Sequence, residues 1–138
     1  MFDRDDPRHA RALRRLAGAP IGWMTTVRPE GRPQPSPVWF LWEGDEILVY
    51  SKAGTARTAN LEDNDRVAFN LDGDGLGGDI VVIEGRARVD ADAPPAHDHP
   101  DYVEKYRWMM RRNGWTPEEF SAGYPVALRI TPTRVRAW

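Results

Sequence analysis

Between Ile21 and Val135 the chain repeats one pattern: a short run rich in β-branched and aromatic residues, then a turn signal of glycine, proline or aspartate. The runs are Ile21–Arg28, Gln34–Trp42, Glu46–Ser51, Arg66–Asp72, Asp79–Val89 and Tyr124–Val135, the last expected to be interrupted at Pro132. Each reads as a strand, and Glu43-Gly44-Asp45 folds the second and third into a hairpin. Pro35 and Pro37 lack the donors a central strand needs, so they mark a strand start or an edge. Helical spacing is confined to Arg8–Ala17, Thr55–Asp63, Tyr102–Arg112 and a short turn capped by Thr116. Helices that interrupt strands without alternating with them exclude a doubly wound parallel sheet. The expected fold is mainly β: a six-stranded antiparallel barrel, closed or nearly closed, with short peripheral α-helices. With 138 residues and no linker or internal repeat, residues 1–138 form one domain.

Charge and composition narrow the function. Lys and Arg number 19 against 21 Asp and Glu, a net charge of −2, so an oligonucleotide-binding barrel is disfavoured and no nucleic-acid partner is expected. The absence of cysteine removes thiolate metal sites, iron–sulfur ligation and cysteine nucleophiles. No apolar run approaches membrane-spanning length, and Met1–Asp6 is too charged for a secretion signal. The expectation is a cytoplasmic protein with no membrane association. Only two of the basic residues are lysines, Lys52 and Lys105.

The chemistry concentrates where the third strand gives way to the second helix. Tyr50-Ser51-Lys52-Ala53-Gly54-Thr55-Ala56-Arg57-Thr58 ends a strand, turns at glycine and opens a helix with Thr55 as N-cap. Unpaired N–H groups at a helix start carry partial positive charge. Hydroxyls of Ser51, Thr55 and Thr58 and the cations of Lys52 and Arg57 join them, which suits a phosphate. The same residues also suit a capped helix bearing two solvated cations.

Strand, strand, Tyr-Ser-x-x-Gly-Thr-x-Arg, a helix ending Leu61-Glu62-Asp63-Asn64-Asp65, then Arg66-Val67-Ala68-Phe69 resembles the pyridoxamine-phosphate-oxidase-like split-barrel family. The run Ile83-Glu84-Gly85-Arg86-Ala87-Arg88-Val89 is similar to that family's long strand. Within it the chain looks most like the flavin/deazaflavin oxidoreductases of group B, often users of coenzyme F-420. The paired basic residues at the helix start are reduced to Ala56-Arg57, and Pro37-Val38-Trp39-Phe40 resembles the deazaflavin users. The basic C-terminal segment that grips pyridoxal phosphate is missing. An FMN monoester carries about twice the charge of the F-420 phosphodiester, so a thin cation clamp matches F-420 better.

The resemblance implies a homodimeric oxidoreductase with cofactor sites at the subunit interface. Hydride would pass between F-420 and a small conjugated substrate. The phosphate would meet Ser51, Lys52, Thr55, Arg57 and Thr58, the ring would lie over Val38 and Trp39, and Pro37, Tyr50 and Ala56 would complete the cofactor-binding set. An FMN-dependent reductase or oxidase is the alternative, and a non-catalytic carrier of deazaflavin, flavin or haem is a third reading. By side-chain type, Tyr50, Tyr102, Tyr106 and Tyr124 are candidate proton donors.

Other signals are weaker. Trp39 and Phe40 can equally be the two faces of a buried strand. Arg107, Arg111 and Arg112 can meet an anionic tail or form a solvated helix face. His97-Asp98-His99 lacks a third ligand, so no metal is expected, and Asp98 is expected to cap the next helix. Trp108 and Trp115 are expected to flank a pocket, and Trp138 to dock on the barrel or on a partner.

Overall fold

The Asp6 carboxylate accepts the Arg8 N–H at 2.9 Å, and Pro7 has no N–H to satisfy, so two of the free positions of a helix start are settled. Helix α1 runs Pro7–Gly18. The computed structural model describes all 138 residues, and beyond α1 they form one antiparallel sheet with three further helices. The strands are β1 (Gly22–Val27), β2 (Pro33–Val38), β3 (Leu41–Glu43), β4 (Glu46–Ser51), β5 (Arg66–Leu71), β6 (Val81–Val89) and β7 (Val126–Ala137). Helix α2 (Ala56–Asp63) follows β4, while α3 (Pro100–Arg112) and α4 (Pro117–Gly123) lie between β6 and β7.

Seven strands stand where six were expected, because Gln34–Trp42 is two strands. The chain leaves the ladder at Trp39 and Phe40. There the Tyr106 hydroxyl accepts the Phe40 N–H at 2.7 Å, and Lys105 Nζ donates to the Phe40 carbonyl at 2.8 Å. Side chains of α3 thus replace strand partners, which nothing local in the sequence announces. The last strand also differs: it starts at Val126 and runs through Pro132 without interruption. A register shift at Glu84/Gly85, opposite Pro132, absorbs the missing donor.

Strand order is β2-β1-β5-β6-β7-β4-β3. Its two edges, β2 and β3, are joined by only Trp39 and Phe40, so the sheet must curl until those edges nearly meet. The result is a split barrel. Pro33, Pro35 and Pro37 alternate along β2, which places all three nitrogens on its open edge. Gly44 and Asp45, both at positive φ, make the tight β3–β4 turn.

Two cores result. Inside the barrel, Met24, Phe40, Ile47, Phe69, Ile83 and Leu128 are buried under Leu16 of α1. There the Phe69 ring fills the space a Gly22 side chain would take, 2.1 Å from an ideal Cβ. Strand β4 is buried on both faces: Ile47 and Val49 point inward, Leu48 and Tyr50 outward. Against the outer face α3 and α4 lay Tyr102, Tyr106, Met110 and Phe120. The candidate site lies at the margin of this second core.

Candidate functional site

Helix α2 begins as the sequence predicts. Gly54, at φ +70, turns the chain, and Thr55 Oγ1 accepts the Thr58 N–H at 3.3 Å. Thr58 Oγ1 donates back to the Thr55 carbonyl at 2.9 Å, so both threonines are engaged in the cap. Ala56 is exposed and brings its backbone N–H to the open first turn.

Arg57 does not face bulk solvent. It is half-buried, and donates to Ser51 Oγ at 2.9 Å and to Ser36 Oγ on β2 at 2.8 Å. Ser51 is fully buried and its hydroxyl also contacts the Lys52 carbonyl at 3.3 Å. Arg57 Nε is buried without any partner. Burial pushes the guanidinium pKa down, and the Tyr124 phenol opposes that shift. A cation held among hydroxyls alone, with one nitrogen orphaned, is electrostatically incomplete, and an oxyanion is the group that completes it.

Lys52 is placed differently. Its side chain is exposed, and Nζ stands 5.5 Å from the centre of the Tyr124 ring. It is a cation at the rim, where Arg57 is one in the wall.

Beside Arg57 opens a pocket of about 210 Å³. Pro37, Val38 and Trp39 form one side, with Tyr50 from β4 and Arg57 from α2. Trp115, Phe120 and Tyr124 form the other. The structure therefore brings together Pro37, Val38, Trp39, Tyr50 and Arg57 as pocket walls. Ser51, Lys52, Thr55, Ala56 and Thr58 gather at the adjoining helix start. Of the Trp39–Phe40 pair, Phe40 is the core residue and Trp39 the pocket residue.

Four rings stack nearly parallel through this site. Trp39 lies 4.8 Å from Tyr106 at 3° and 5.0 Å from Phe120 at 10°; Phe120 lies 4.5 Å from Tyr124 at 12°. Phe120 is a wall the sequence reading missed. It comes from α4, far along the chain, and the heavy aromatic content was its only signal.

Other expectations resolve plainly. Trp115 lines the pocket, whereas Trp108 is 56% exposed elsewhere on α3. Trp138 docks on its own chain, exchanging backbone hydrogen bonds with Ile80 and donating Nε1–H to the Gly77 carbonyl at 3.1 Å. His99, not Asp98, caps α3: its Nδ1 accepts the Tyr102 N–H at 3.3 Å while Nε2 meets Glu43 at 2.7 Å. Asp98 falls one residue short, in the 3-10 turn Ala96–Asp98. His97 pairs with Ser121 Oγ at 2.9 Å. Arg107 and Arg111 border a separate hollow of about 240 Å³ that shares Trp115 with the pocket. A larger, shallow depression of about 540 Å³ crosses β1, β5 and β6 and contains none of the predicted site residues. No helix is long and apolar enough to cross a membrane.

Comparison with known proteins follows the same outline. The family model described as pyridoxamine 5'-phosphate oxidase matches residues 8–138. An F420 reductase has the same fold, with a TM-score of 0.65 at 22% identity over 88% of this chain and 92% of that one. So does an FAD-binding protein of Mesorhizobium loti, with a TM-score of 0.66 at 19% identity over 91% and 88%. General Stress Protein 26 of Bacillus anthracis gives 0.68 at 22% identity over 91% and 89%. A search of curated proteins finds no match.

Proposed function

Because the chain belongs to the pyridoxamine 5'-phosphate oxidase family, we propose that it is an oxidoreductase that binds the deazaflavin coenzyme F-420. The observation that carries this reading is Arg57, a half-buried cation whose partners are hydroxyls and whose Nε has no partner, set in the wall of an aromatic pocket. Those residues fit a phosphodiester joined to a planar ring.

Arg57 would hold the phosphate, with Ser51, Thr58 and the first-turn N–H groups of Ala56 and Arg57 beside it and Lys52 at the rim. Pro37, Val38 and Trp39 would support the ring, and Tyr50 would close its inner side. When bound, reduced F-420 supplies a hydride to a small conjugated substrate. The chain contributes position and exclusion of water: Trp39 is immobilised between Tyr106 and Phe120, so the wall presented to the ring is rigid.

A pocket of about 210 Å³ is too small to enclose a tricyclic ring, since ligand sites usually begin near ~300 Å³. A second copy of the chain would complete it, making the protein a homodimer with its cofactors at the interface.

Titration of the purified protein with F-420 and FMN side by side tests the reading. F-420 is expected to bind more tightly. Binding of FMN with F-420 excluded would assign the FMN-dependent alternative, and binding of neither would overturn the proposal. Oxidation of bound reduced cofactor by a conjugated acceptor separates an enzyme from a carrier.

A further inference from the structure

All four tyrosines of the chain, Tyr50, Tyr102, Tyr106 and Tyr124, gather around the second core and its pocket. Their hydroxyls are not equivalent. Tyr50 donates its proton to the Pro94 carbonyl at 2.7 Å, and burial pushes its pKa up to about 12. Tyr106 is fully buried and locked, with Pro20 and Phe40 carbonyl oxygens at 2.7 and 2.9 Å. Tyr102 is also fully buried, has no hydrogen-bond partner and does not reach the pocket wall. Tyr124 differs from all three. It lines the pocket, it is only half-buried, and its hydroxyl is committed to no acceptor within the chain.

Its setting is fixed. The ring stacks on Phe120 at 4.5 Å and 12°, and the backbone N–H closes the end of α4 on the Phe120 carbonyl at 3.0 Å. Two cations accompany it: Lys52 over the ring face, and Arg57 in the lining of the same pocket. It is thus a placed donor with an accessible proton.

Resting on the oxidoreductase reading above, we propose that Tyr124 is the proton donor of the reductive reaction. A hydride adds to the β-carbon of a conjugated carbonyl acceptor, and the carrier that gave it is oxidised. The electron pair of the carbon–carbon double bond moves toward the carbonyl oxygen. Tyr124 first hydrogen-bonds that oxyanion, then its O–H bond breaks and the proton goes to the α-carbon, giving the saturated carbonyl compound. Water reprotonates the phenolate. The substrate class is a planar conjugated carbonyl, matched by an aromatic pocket wall that itself carries the donor.

The test uses Tyr124→Phe, which keeps the stacked ring, and two probes. p-Nitrophenolate mimics the oxyanion without reacting, and its affinity is measured on protein loaded with oxidised F-420. 2-Cyclohexen-1-one reports turnover with reduced F-420. Tyr124→Phe is expected to keep the F-420 affinity within twofold, to bind p-nitrophenolate about 10-fold more weakly and to reduce the enone about 100-fold more slowly. Tyr102→Phe is expected to leave nitrophenolate affinity unchanged. A parent protein that does not bind p-nitrophenolate, or a Tyr124→Phe protein that binds it as tightly as the parent, overturns the assignment of Tyr124 and leaves the cofactor reading standing. A parent that binds neither F-420 nor FMN overturns both.

Discussion

Arg57, in the first turn of α2, donates to the Ser36 hydroxyl on edge strand β2 at 2.8 Å. This one bond ties the helix that would hold a phosphate to the strand that supplies the pocket residues Pro37 and Val38 and leads to Trp39. Ser36→Ala removes the tie and leaves Arg57 with Ser51 alone. It is expected to weaken F-420 binding about 5- to 10-fold, at a stability cost of about 1 kcal/mol. Calorimetric titration and urea unfolding measure the two effects.

The Tyr102 hydroxyl is fully buried with no partner. Burial has raised its pKa far above the ordinary phenol value, so it stays neutral and unsatisfied. Tyr102→Phe removes that group without opening a cavity. It is expected to raise stability by about 1 kcal/mol, read as a higher urea midpoint with an unchanged slope. A lower midpoint would mean the hydroxyl has a partner.

Lys105 lies partly buried on α3, 3.9 Å from the Phe40 ring centre, and desolvation lowers its pKa from 10.5 to about 8. Between those values the unfolded chain binds the proton more tightly than the folded one, so this group makes stability rise with pH. Below about 8 both states are protonated and the full cost of the buried charge is present; above 10.5 both are neutral and the cost is gone. Lys105→Met removes the titration. The stability of the parent relative to this variant is therefore expected to grow by about 2 kcal/mol between pH 7 and 10. Paired urea midpoints at the two pH values check the sign, and a constant gap would refute it.

Gly22 faces the Phe69 ring inside the barrel. Gly22→Ala must displace that ring from the core or bend β1 away from β5, and is expected to cost about 2–3 kcal/mol. Thermal unfolding measures the loss. The same substitution at Gly18, where nothing lies within 4 Å, is the matched comparison.

The barrel was legible in the sequence because its strands carry their own turn chemistry. Gly44-Asp45 at the β3–β4 turn and the alternating prolines of β2 announce a hairpin and an edge through backbone sterics alone. The break at Trp39-Phe40 was not legible, because Tyr106 and Lys105, which cause it, arrive from a helix more than 60 residues later. The start of α2 was readable down to its cap at Thr55, since capping is local. The aromatic wall of Phe120 and Tyr124 was not, since only the packing of α4 against α3 and Trp39 brings it there. His99 took the capping role expected of Asp98 because its ring also reaches Glu43, a partner distant in sequence.

The most direct test concerns Arg57. F-420 dissociation constants are measured for the parent and for Arg57→Met, which keeps the bulk and removes the charge, with circular dichroism confirming the fold of each. Binding is expected to be about 100-fold weaker in the variant. Equal dissociation constants for the two proteins would contradict it, because the cation in the wall would then hold no part of the coenzyme.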